Sequence, residues 1–176
     1  MTNSTPNSGL GPSERLLLVV LAALLAAGLL WFRGGLNPEA PLERLARQSL
    51  DLPVALSNGK PTLVEFYADW CDACRTMAPA METIEAQHRG QLDVVLLNVD
   101  NPRWQPELER YDVNGIPQLE LFNAAGEAVG RSIGARSLSE LGALSSALIA
   151  GEPLPPLAGV GAVSNLSQAA GEVAAA

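Results

Sequence analysis

The sequence predicts an α/β domain held behind an N-terminal membrane-spanning helix, and three observations lead there. Segments of strand length and of helical period follow one another in the order β-α-β-α-β-β-α. The 17 residues from Leu16 to Phe32 carry no charge. The only two cysteines, Cys71 and Cys74, fall where an apolar strand hands over to a helix.

Composition narrows the function classes. At 176 residues and 18.4 kDa the chain has room for one ordinary domain plus extensions. A formal charge of -8, with ten arginines and one lysine scattered along the chain, leaves no basic surface for a phosphate backbone. Nucleic acid is therefore not the expected partner. Two cysteines with two residues between them cannot staple distant parts of a fold, so the pair reads as a redox or metal element.

Residues 1–15 are rich in Ser, Asn, Pro and Gly and read as disordered. The run at 16–32 spans roughly 25 Å as a helix, short of a hydrocarbon core about 30 Å thick. Snorkelling by Arg15 and Arg33, with Trp31 at the interface, extends that reach. A cleaved signal peptide is the alternative, but the run is longer than the usual signal core. Cleavage after Ala26-Ala27-Gly28 would also leave Leu29, Leu30, Trp31 and Phe32 on the mature end. Ala22 and Ala26 are small residues four apart that suit close approach of a second membrane helix.

After a linker at 33–41, the domain is expected over 42–150. Leu42, Leu45, Ala46 and Leu50 recur at helical spacing, and Val54 to Leu56 reads as a short extended piece before an Asn58-Gly59 turn. A strand follows from Thr62 to Ala68. A helix from Cys71 to His88 turns Met77, Met81 and Ile84 inward, with Pro79 bending it. A buried strand at 92–100 and a short helix at 104–113 come next. QLELF and EAVGR read as antiparallel strands joined by Asn123 to Gly126, and Ser137, with Glu140 three residues on, opens a last helix. From Gly151 onward, 151–176 has too much Gly, Pro and Ala and too little periodicity for a packed element.

The i, i+3 spacing of Cys71 and Cys74 in a first helical turn puts both sulfurs on one face, close enough to bridge. Unsatisfied N–H groups and the helix dipole stabilise a thiolate on Cys71, read as the more exposed of the two. That is the chemistry of thiol–disulfide exchange. A zinc site would need four ligands, against two thiols, His88 and carboxylates here. An inert disulfide across so short a loop would add little stability. Glu65 lies in a strand apolar enough to be central and covered on both sides, which would bury its carboxyl, raise its pKa and let it exchange a proton with Cys74. An edge strand would instead leave Glu65 in solvent.

The stretch LVEFYADWCDACRTMAP, followed by VNGIPQLELF, resembles the thioredoxin family over roughly Val54 to Ile149. The matches are Trp70 before the first cysteine, an acid six residues ahead of it, Pro79 in the helix, and Ile116-Pro117 before a strand. The resemblance implies a central mixed sheet flanked by helices, a cis Pro117 facing the dithiol, and a substrate segment pairing with the backbone at Ile116. It also implies that Gly134 borders the substrate groove. It implies no metal and no cofactor.

Two departures stand out: Asp72-Ala73 replaces the family's common Gly-Pro between the cysteines, and Leu96 stands where many thioredoxins have a lysine near the buried acid. The anchor, the LNVDNPRW segment and the Pro/Gly-rich tail are similar to membrane-anchored thioredoxin-like proteins of cyanobacterial and chloroplast thylakoids. What that narrower resemblance implies is a reductase of protein disulfides on the lumenal or periplasmic side, fed by a CcdA-type membrane thiol transporter and supporting cytochrome assembly. Arg33, Arg44 and Arg47 behind the apolar run argue mildly for the opposite side. A disulfide-forming oxidase and a non-catalytic chaperone or scaffold are the rival readings, the first separable by reduction potential and the second by loss of activity without the cysteines.

Overall fold

In the computed structural model of the chain, residues 11–35, 39–156 and 159–166 are described, and the chain divides at Glu39 and Ala40 into two compact units. The first unit contains α1, Pro12–Gly35. Its 24 residues give about 36 Å of helix, more than the uncharged run alone, because Pro12 to Arg15, expected in the disordered stretch at 1–15, and residues 33–35, expected in the linker, both join the helix. It is long and apolar enough to cross a membrane.

The second unit opens with two helices, α2 (Pro41–Gln48) and α3 (Leu52–Ser57). The extended piece expected at Val54 to Leu56 is thus helical. Asp51 accepts the amide protons of Val54 and Ala55 at 3.0 Å, and Leu52 and Ala55, three apart, are both buried. Pro53 near the helix start loses no needed donor there. Six residues are too few to display a helical period, so tertiary burial decides. Leu50, expected on the inner face of the preceding helix, lies beyond its end and is 42 % exposed.

The strand β1 (Thr62–Tyr67) follows, then α4 (Asp72–Gln87), β2 (Asp93–Asn98), a 3-10 turn at Pro102–Trp104 and α5 (Gln105–Arg110). Next come β3 (Gly115–Ile116), β4 (Gln118–Phe122), β5 (Ala128–Ile133) and α6 (Leu138–Ala150). The main sheet runs β2-β1-β4-β5, with β1 parallel to β2 and antiparallel to β4, and β4 antiparallel to β5. It is a mixed sheet in which β1 has a neighbour on each side, and all six of its residues are buried.

Helix α4 packs against both α2 and α6. Its Met77, Met81 and Ile84 join Leu63, Phe66, Leu119, Leu121, Leu141 and Leu144 in one core. Arg44 of α2 clamps Glu82 of α4 through Nε and Nη2 at 2.7 and 3.0 Å.

The C-terminal stretch departs most from expectation. Residues expected to form an unpacked tail from Gly151 include β6 (Ser164–Asn165), which pairs antiparallel with β3: Gly115 opposes Asn165 and Ile116 opposes Ser164. Residues 157–158 and 167–176 lie outside the described residues. The pairing of β6 with β3 is not legible in the sequence because it is made by the backbone, which side-chain periodicity does not report.

Helix α6 begins with the reciprocal cap expected from its sequence, Ser137 Oγ accepting from the Glu140 amide and Glu140 Oε2 from the Ser137 amide. Ser137→Ala is expected to lower unfolding free energy by about 1 kcal/mol, measured by urea titration, and a change within a few tenths would mean that the cap carries no weight.

Candidate active site

Strand β1 ends inside the domain, and four residues later Cys71 occupies the N-cap of α4. At that position the first amides of the helix have no carbonyl partner within it, and the Cys71 sulfur takes one of them: the Cys74 amide donates to Cys71 Sγ at 3.1 Å. Cys71 and Cys74 are joined as a disulfide. The same amide, with the positive end of a 16-residue helix, is available to a Cys71 thiolate once the bond is reduced. Both cysteines have no exposed surface. The expectation that Cys71 is the more exposed is corrected, because backbone packs directly over it: the Ile116 carbonyl oxygen lies 3.7 Å from Cys71 Sγ.

The Ile116-Pro117 peptide is cis. Gly134 comes to the same place from the end of β5, its amide donating to the Pro117 carbonyl at 2.8 Å with a φ of +88° that a side chain would strain. The structure therefore brings Cys71, Cys74, Ile116, Pro117 and Gly134 together from three separate parts of the chain. Trp70, 36 % exposed, precedes the disulfide and is held by its indole Nε1, which donates to Asp100 Oδ2 at 2.9 Å. Asp100 was not singled out from the sequence. It follows β2, and only the parallel pairing of β1 with β2 brings the two strand ends side by side.

Asp72 lies between the two cysteines, yet it is exposed and paired with the Arg75 guanidinium, which also donates to the Asp69 carbonyl. Its opposition to a thiolate is thereby reduced. Trp104, partly buried against the core, lies under the Arg103 guanidinium at 4.5 Å, and Arg103 also pairs with Asp51 at 2.6 Å. That arrangement serves packing at the 3-10 turn. Among the described residues no three His, Cys, Asp or Glu side chains come together as metal ligands.

Glu65 sits at the centre of β1, opposite Leu96 on β2 and Leu119 on β4, and is fully buried. Neither carboxyl oxygen has a hydrogen-bond partner. Desolvation pushes its pKa from 4.5 up to about 8. Glu120, buried one strand away, shows what a partnered carboxylate looks like here. It accepts from Gln118 Nε2 at 2.8 Å and pairs with Arg131, so that burial raises its pKa against the opposing pull of those partners.

Residues 44–146 match the thioredoxin family. The chain belongs to the thioredoxin family. Over 140 residues it is 44 % identical to a "Thiol:disulfide interchange protein TxlA homolog" of Synechocystis, covering 80 % of this chain and 77 % of that one. It is 40 % identical over 146 residues to the TxlA protein of Synechococcus elongatus, covering 82 % and 76 %. The chloroplastic thioredoxin-like protein HCF164 of Arabidopsis thaliana is 39 % identical over 140 residues, covering 80 % of this chain and 54 % of the relative. A thioredoxin-family fold with its dithiol at the helix start and interchange proteins as relatives makes this chain a thiol–disulfide oxidoreductase.

The unpartnered carboxyl sets a stability slope. Because its folded pKa of about 8 lies above the unfolded value, the neutral form stabilises the fold fully below pH ~4.5, and that stabilisation is lost as pH rises through ~8. Across this window unfolding free energy should fall by up to about 1.4 kcal/mol per pH unit. Glu65→Gln, which keeps the volume and cannot ionise, is expected to flatten the slope in urea titrations at a series of pH values. An unchanged slope would contradict the burial of an ionisable Glu65.

Proposed function

We propose that this chain is a membrane-anchored reductase of protein disulfides. The observation that carries the proposal is the Cys71 sulfur at the start of α4, held by the Cys74 amide and bordered by the Ile116 carbonyl next to a cis proline. In the reduced form the Cys71 thiolate attacks one sulfur of a substrate disulfide, making a mixed disulfide and releasing the other substrate sulfur as a thiolate. The Cys74 thiolate then attacks Cys71 Sγ, which forms the Cys71–Cys74 bond and releases the second substrate thiolate. An extended substrate segment pairs with the backbone at Ile116, beside Pro117 and Gly134, and Trp70 borders the approach.

Glu65 exchanges a proton with Cys74 in this reading, directly or through water, its neutral form giving one to the Cys74 thiolate and its ionised form taking one from the thiol. A carboxyl with a pKa of about 8 is matched to a thiol whose ordinary value is about 8.5, so the proton moves with little cost in either direction. A lysine in place of Leu96 would pin the carboxylate as an ion and remove that match.

The membrane helix and the TxlA and HCF164 relatives support the wider assignment. The domain faces the thylakoid lumen or periplasm, receives electrons from a CcdA-type membrane thiol transporter, and supports cytochrome assembly. Ala22 and Ala26 on α1 are exposed, at a spacing that admits close approach of such a partner's helix.

Cys74→Ser should stall the exchange at the mixed disulfide. Expressed in membranes, this variant is expected to accumulate covalent, reductant-sensitive adducts with substrate proteins, whereas Cys71→Ser accumulates none. Adducts absent from both variants, or equal in both, would contradict the assignment.

A further inference from the structure

The proposed substrate groove is already filled, and by this chain. Residues 159–166, GVGAVSNL, cross it as an extended segment. The Gly161 amide donates to the Ile133 carbonyl at 3.0 Å, and the Ala135 amide donates to the Ala162 carbonyl at 2.8 Å. Ser164 then opposes Ile116, Asn165 opposes Gly115, and the Leu166 amide reaches the Asn114 carbonyl at 3.4 Å. The segment thus bonds to both walls, the one after β5 and the one before Pro117. Ile116 is the residue whose carbonyl lies beside Cys71 Sγ.

The crossing is too close for side chains. A Cβ on Gly134 would stand 2.4 Å from the Gly161 carbonyl carbon, and one on Gly161 would stand 2.1 Å from the Ala135 carbonyl oxygen. At the near end Arg136, whose side chain is only 4 % exposed, donates from Nη2 to the Gly159 carbonyl at 2.7 Å and from Nε to Ser132 Oγ at 2.7 Å. A buried guanidinium anchors the start of the segment while glycine meets glycine above the groove.

We propose that residues 159–166 are an autoinhibitory strap, a built-in stand-in for the substrate strand, which must leave before a thiol or disulfide reaches Cys71. This rests on the reading of Ile116, Pro117 and Gly134 as the groove. Cys71 has no exposed surface, so an incoming sulfur has no path to it while the packing shown here holds. The strap is suited to leave. It carries no charged residue, Val160 is 67 % and Val163 38 % exposed, and its hold is mostly neutral backbone bonds that a pairing substrate can replace one for one. Being tethered, it competes at high effective concentration, so partners that cannot pair along Asn114 to Ile116 are turned away.

The strap is tested by the rate at which dithiothreitol reduces the disulfide in detergent-solubilised full-length protein. A dithiothreitol thiolate attacks Cys71 Sγ and Cys74 leaves as a thiolate; the second dithiothreitol sulfur then closes its own ring and releases Cys71. Gly161→Val, which cannot lie against Ala135, and a chain ending at Pro156 are each expected to react about tenfold faster than wild type. Equal rates in all three would overturn the strap.

If those variants do not fold, amide hydrogen exchange in the Cys74→Ser chain decides. Linking a peptide to Cys71 by exchange, the Cys71 thiolate attacking the cysteine sulfur of a peptide activated as its thionitrobenzoate disulfide and thionitrobenzoate leaving, should speed exchange at Gly161 and Leu166 about tenfold, and unchanged protection would overturn the proposal. Neither readout needs a protein substrate. Faster reduction without any trapped substrate would therefore refute the reductase reading and leave the strap standing.

Discussion

The Cys74 amide donating to Cys71 Sγ caps the beginning of α4, four residues after the central strand ends, and the site is built around that contact. A helix start always leaves amides without partners, and most helices satisfy them with an oxygen. Here a sulfur does so. The consequence is that the capping atom and the reacting atom are the same, and the backbone that fixes the helix also fixes the nucleophile. Strand β1 holds the other end of this arrangement because it is paired on both edges and buried along its whole length. The Ile116 carbonyl, just before the cis Ile116-Pro117 peptide, then lies beside the sulfur from elsewhere in the chain, and Gly134 bonds to the Pro117 carbonyl behind it.

The electrostatics follow from what surrounds that sulfur. Glu65 has no partner and is held mostly neutral near pH 7, so it does not repel a thiolate at Cys71 under those conditions. Asp72 is exposed and paired with Arg75. What remains to stabilise the thiolate is the helix start, worth about 0.3 to 1 kcal/mol. A weakly stabilised thiolate makes the dithiol ready to give up electrons, which is the sense of a reductant.

Much of this was legible in the sequence, and the failures share a cause. The strand through Glu65, the helix carrying Met77, Met81 and Ile84, and the Ser137-Glu140 cap were readable because side-chain type records which face is buried and which residue caps. The mixed sheet, the cis Pro117 and the place of Gly134 came through family resemblance, since spacing alone makes Pro117 an ordinary turn residue. Val54 to Leu56 reads as extended from the sequence although it lies in α3, because one and a half turns show no period. The strap was not legible because its pairing with β3 and with the residues after β5 is main-chain to main-chain. A pairing of Gly134 with a second glycine in the tail was the one signal on offer.

The reduction potential of the Cys71–Cys74 couple tests the central claim most directly, because it integrates every contribution to thiolate stability at once. It is obtained by equilibrating the detergent-solubilised protein against thioredoxin and glutathione couples and counting reduced chains. The account predicts a value near that of thioredoxin, about -270 mV. A value on the oxidising side of about -180 mV would contradict it and make the protein a source of disulfides instead of a sink.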